Sequence, residues 1–140
     1  MPSRELENLV IIGALTRLSP GPDEVRAMLD RGATALRDAA NESVSIEGRF
    51  ALAYSAAHGL AVAALWHHGY RSANRITVFE CLTHTTDINA ASRKLLISTH
   101  KLRNHLEYEA EGDVDPKLVR DLILTVRTLE ASVRRLIVGS

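Results

Sequence analysis

Apolar positions along this chain recur at intervals of three and four residues, the spacing of one face of an α-helix, and Gly/Pro-containing stretches separate the runs. Leu6, Leu9, Val10 and Leu15 predict a first helix from Arg4 to about Leu18, which Ser19-Pro20-Gly21-Pro22 ends. Pro22 suits a first helical position, and Asp23 and Glu24 suit the positive end of a helix dipole. The second helix therefore runs from Pro22 to about Asn41, with Val25, Met28, Leu29, Ala33 and Leu36 inward. Ser45 caps a third and longest helix that continues to His68 and stops at Gly69. Its alanines and Gly59 let neighbours approach closely, so it is expected at the centre of a bundle. Ile76–His84 predicts a short fourth helix, although Ile76-Thr77-Val78-Phe79 also suits a strand. Asp87-Ile88-Asn89 caps a fifth helix over Ala90–Glu109, and Gly112–Asp115 reads as an acidic turn. Asp115-Pro116 starts a sixth that reaches about Val138 along Leu118, Leu122, Val126, Leu129, Val133 and Leu136. The expected fold is all-α, a bundle of about five to six helices, with residues 1–140 forming one domain and no convincing strand.

Composition narrows this further. Aromatic residues make up only 4% of the chain, so alanine and leucine fill the core, which favours close-packed helices. The single cysteine, Cys81, excludes an internal disulfide framework and suits a reducing compartment. No basic-then-apolar leader is present, and no apolar run approaches the ~18 residues that span a bilayer. A soluble cytoplasmic protein with no membrane partner is expected. Formal net charge is zero, so bulk electrostatics does not announce a nucleic-acid binder. The charge is segregated, however. Residues 71–106 hold six basic and two acidic side chains, and residues 107–115 hold five acids and no base.

Chemistry concentrates on the fifth helix. Across His100–Glu109, Arg103 and Glu107 are four apart, as are Asn104 and Tyr108. Each pair falls on adjacent turns of one face, beside the apolar stripe of Leu95, Thr99, Leu102 and Leu106. Arg103 can hold a phosphate or a developing negative charge, Asn104 can orient a hydroxyl or a base edge, and Tyr108 can donate a hydrogen bond or stack. His100 stands near the same shoulder. The bland alternative is a structural row in which Arg103 pairs with Glu107 and Tyr108 packs on a neighbouring helix. Arg49, Tyr54, His58, Tyr70 and Arg71 form a second polar cluster along and just after the long helix. It too has a bland alternative, satisfied residues at the core rim. Cys81-x-x-His84 offers only two ligands of the four a zinc site needs, so neither metal nor cofactor is expected. No Gly-x-Ser-x-Gly elbow and no phosphate-cradling glycine loop occurs.

Arg103-Asn104, three further residues and Tyr108 together resemble the signature of HEPN (higher eukaryote and prokaryote nucleotide-binding) domains. That signature is an arginine, a polar residue, a short gap and a histidine on a late helix of an α-helical bundle. Arg49-Phe50, Ala53-Tyr54, Ala56-Ala57-His58, Gly69-Tyr70-Arg71 and Glu107-Tyr108-Glu109 extend the resemblance over most of the chain, toward a small bacterial, toxin–antitoxin-like branch. The resemblance implies a homodimer in which two motifs face across a cleft and bind RNA or a nucleotide. It also implies a relation to metal-independent ribonuclease toxins, some paired with a nucleotidyltransferase antitoxin. Arg103 maps onto the motif arginine and Asn104 onto the polar residue after it. Tyr108 stands where the motif histidine is expected. A phenol with a pKa near ~10 is a poor general base, so the resemblance favours binding over cleavage. His100 is the imidazole nearest the shoulder. The catalytic candidates are Arg103, Asn104, Tyr108 and, more weakly, His100. A non-enzymatic helical protein that docks a partner such as a nucleotidyltransferase antitoxin is the alternative.

Overall fold

The structure is a computed structural model describing residues 3–109 and 114–139, with the side chains of Glu107, Tyr108 and Glu109 outside the described residues. Among the described residues, seven helices and one two-stranded ribbon follow in the order α1 (Arg4–Ile11), β1 (Thr16–Arg17), α2 (Pro22–Ala39), α3 (Ile46–His67), β2 (Tyr70–Arg71), α4 (Arg75–Glu80), α5 (Leu82–Thr85), α6 (Ala90–Glu109) and α7 (Pro116–Val138). The all-α helical bundle is therefore the observed architecture.

Helix α3 runs through the middle. Ala53, Ala56, Leu60, Ala61, Ala63 and Ala64 are fully buried along it, so it is apolar around most of its circumference, as a central helix must be. The Ser45 side chain accepts from the Gly48 amide at 3.0 Å and starts it, and Gly69 at φ +94° ends it. Helices α2 and α7 pack along it. α2 approaches most closely at Gly32, where a Cβ would lie 2.9 Å from Leu60 Cγ. α7 contributes the buried stripe Val119, Leu122, Val126, Leu129 and Val133.

Three local features differ from the periodicity. The first helix stops at Ile11, not near Leu18, because Gly13 takes φ +82° and turns the chain. The released segment then pairs antiparallel, Thr16 with Arg71 and Arg17 with Tyr70, so a short strand exists where none was expected. Glu7 on α1 locks this ribbon, accepting from both the Arg17 guanidinium and the Tyr70 hydroxyl. The fourth helix breaks at Cys81 into α4 and α5. At the start of α6 the cap is Asn89, whose side chain accepts from the Ser92 amide at 2.8 Å. Asp87 instead bonds Ser132 and Arg135 of α7. Residues 110–113 of the expected acidic turn lie outside the described residues.

Candidate functional site

Three helices converge on one aromatic floor. On α3, Tyr54 and His58 are four apart and share a face. On α4, the Asn74 side chain accepts from the Ile76 and Thr77 amides at 3.0 and 3.3 Å, which sets Arg75 at the first helical position. On α6, buried Leu96 and Thr99 fix the inner face, and His100, Arg103 and Asn104 follow on the adjoining side. Phe79 is fully buried among them. Its ring centroid lies 5.9 Å from Tyr54, 6.0 Å from His58 and 5.9 Å from His100. These separations are typical of packed aromatic pairs.

Two guanidinium groups flank Tyr54. Arg103 Cζ stands 5.3 Å and Arg75 Cζ 5.8 Å from its ring centroid, within cation–π range. Arg103 and Arg75 line a cleft of about 570 Å³ together with Tyr54, Ser55, His58 and Glu47. A volume of this order suits a small ligand or part of a larger one. Glu47 is the one acid among the described lining residues.

Hydrogen bonds order the back of this cleft. Arg103 Nη1 donates to Asn104 Oδ1 at 3.3 Å, which fixes the orientation of the amide. Asn104 Nδ2 must then donate to His100 Nε2, 3.3 Å away. That nitrogen carries no proton, so the neutral His100 donates through Nδ1 to the Tyr54 hydroxyl at 2.8 Å. Arg75 Nη1 donates to the same oxygen at 3.4 Å. Tyr54 thus accepts two bonds, and its own O–H remains as a donor for a bound anion. Burial, then the charges of Arg103 and Arg75, push the His100 pKa below its ordinary value. Burial pushes His58 further, to about 4, with Arg75, His100 and Arg103 adding to it. Both imidazoles are neutral at pH 7.

The sequence-predicted residues separate on this frame. Arg103 lines the cleft, while Asn104 and His100 stand behind its wall and position Tyr54. Tyr108 lies in the last turn of α6, and its side chain, like that of Glu107, is outside the described residues. From the second polar cluster, Tyr54 and His58 join the site. Arg49 does not. Its Nε donates to Ala39 O at 2.8 Å and closes the end of α2. Tyr70 bonds Glu7, away from the cleft. Arg71 borders a second cavity of about 590 Å³ on the far side of Ser55 and His58, between α2 and α3. Arg75 and Phe79 escaped the sequence reading. The Asn74 cap was a signal for Arg75's helical position, but no spacing links it to Tyr54, 21 residues away. Among the described residues, no group of three or more His, Cys, Asp or Glu side chains is placed to hold a metal ion, and no helix is long and apolar enough to cross a membrane.

Comparison with protein-family models, curated proteins and solved structures finds no significant match to this chain.

Proposed function

We propose that the cleft binds the phosphate and adjoining base of RNA or a nucleotide, in a HEPN-like homodimer acting in the cytoplasm. One observation carries this reading: Arg75 and Arg103, from different helices, converge on the face of Tyr54 at the wall of a cavity. Arginine forks match phosphate oxygens, and a tyrosine hydroxyl with a spare proton adds a third donor. The aromatic lining suits the π-face of a base. His58 adds a neutral imidazole with no hydrogen-bond partner among the described residues, able to hydrogen-bond a ribose hydroxyl or a base edge. The pairing of two copies rests on the resemblance described above.

Fluorescence anisotropy with a labelled single-stranded RNA tests the reading. Charge-assisted contacts contribute about 1.5–3 kcal/mol each, so Arg103→Ala and Arg75→Ala should each weaken binding roughly tenfold or more. The melting temperature should stay within a few degrees of the parent. If Arg103→Ala unfolds the protein while affinity per folded molecule is unchanged, Arg103 is structural and the reading fails. Incubation of the RNA at pH 7 with EDTA reads cleavage separately, and light scattering reads the dimer.

A further inference from the structure

The second cavity has a composition the first site does not account for. Arg31 from α2 and Arg71 from β2 both line it, and no acidic side chain does so among the described residues. Both arginines are exposed, and no hydrogen bond or ion pair engages either guanidinium among the described residues. They are two cations on one cavity with no evident task in holding the fold. Between them the floor is apolar, built from Met28, Gly32, Gly59 and Val62. Trp66, the single tryptophan of the chain, forms one end, and its indole N–H has no partner among the described residues. Ser55 and His58 form the other end, and these same two residues line the Tyr54 cleft. The two cavities therefore meet across one turn of α3. Along that helix Tyr54 and Trp66 are separated by ~18 Å at 1.5 Å per residue. A stacked strand advances only ~3.4 Å per nucleotide, so a mononucleotide cannot reach both ends.

We infer that the ligand is a single strand of RNA about six nucleotides long, since ~18 Å at ~3.4 Å per nucleotide is about five steps, which crosses from the Tyr54 cleft over Ser55 and His58 into the second cavity, where Arg31 and Arg71 hold a further phosphate and Trp66 stacks on a base. This rests on the nucleotide-binding reading of the first cleft. Stacking on an aromatic ring is tolerant of base identity, so binding along this path depends on length more than on sequence.

The sole tryptophan supplies the readout. Hexa-adenylate and AMP are titrated against the full chain while Trp66 emission and anisotropy are followed. Hexa-adenylate should quench Trp66 and AMP should leave its emission near the starting value. The Arg31→Ala/Arg71→Ala double variant should bind hexa-adenylate about tenfold more weakly with AMP affinity unchanged; circular dichroism checks that it folds. If the hexamer needs Arg75 and Arg103 but leaves Trp66 emission unmoved and tolerates loss of Arg31 and Arg71, the second subsite is wrong and the first cleft stands. AMP that quenches as strongly as the hexamer also overturns the path. Hexamer binding that ignores Arg75 and Arg103, or no RNA binding at all, removes the first reading and this one with it.

Discussion

The Tyr54 hydroxyl is where contributions from three helices meet, and its chemistry follows from proton bookkeeping around it. Arg103 holds the Asn104 amide, the amide selects the His100 tautomer, and His100 leaves Tyr54 with a proton to give. Protonation of His100 would set Nε2–H against the Asn104 amide hydrogens, so geometry and burial both oppose it. His58 faces the same opposition from Arg75 on α4 and from His100 and Arg103 on α6, beyond its burial. A consequence for stability follows with a definite sign. The folded protein refuses a proton that the unfolded chain accepts below its ordinary pKa of 6.5, until the folded value of about 4 is reached. Stability is therefore full above about pH 6.5 and declines as pH falls toward 4. His67 and His100 contribute in the same direction. Urea unfolding should give a free energy lower at pH 4.5 than at pH 7.5, with about 2 kcal/mol of the loss due to His58 after allowance for the solvent that reaches its ring. In His58→Gln that share should vanish; an unchanged pH dependence would show that the ring titrates freely. At this scale the sequence exposed part of the site. Helical spacing placed His100, Arg103 and Asn104 together. That Tyr54 should meet His100, 46 residues on, is a tertiary contact that no periodicity encodes.

Among the elements, legibility followed the strength of local signals. Ser45, Pro22 and Asp115-Pro116 mark helix starts by satisfying or omitting the free amides of a first turn, and all three starts lie where those residues predicted. The first helix was overextended because Leu15 kept the apolar spacing through Gly13, and spacing alone does not register a positive φ. Leu15 is buried all the same, but in the connection leading to the ribbon. The contact of α2 with α3 yields a prediction with opposite signs at two glycines. A Cβ on Gly32 would stand 2.9 Å from Leu60 Cγ and 3.3 Å from the Leu60 backbone nitrogen. Leu60 is fully buried and has nowhere to retreat. Gly32→Ala should thus cost about 1–3 kcal/mol by overpacking. A Cβ on Gly59 would meet its nearest neighbour at 3.7 Å, an ordinary contact. Gly59→Ala should stabilise by about 0.5–1 kcal/mol, since it removes backbone freedom from the unfolded chain. Denaturant midpoints of the two variants check the pair; destabilisation of similar size at both would show that the helices do not cross at Gly32.

For the molecule as a whole, zero net charge sharpens what an electrolyte experiment can tell. A protein with a large positive excess attracts nucleic acid from all sides, and its salt dependence mixes that field with specific contacts. Here long-range attraction is weak, so the response to salt counts local arginine–phosphate pairs. Each phosphate neutralised on a single strand contributes about −0.7 to the slope of log K against log salt concentration. Arg75 and Arg103 at one cleft and Arg31 and Arg71 at the other make four candidate pairs along α3. Hexa-adenylate binding should show a slope of about −1.4 if each arginine pair holds one phosphate. Removal of Arg31 and Arg71 should halve it to about −0.7, and removal of Arg75 and Arg103 should flatten it by a similar amount. AMP, held at one cleft, should respond more weakly than the hexamer and should be indifferent to Arg31 and Arg71. Equal slopes for parent and both double variants would mean that the four guanidinium groups do not touch phosphate. Arg103, which also holds the Asn104 amide and stands over the Tyr54 ring, would then be a structural group.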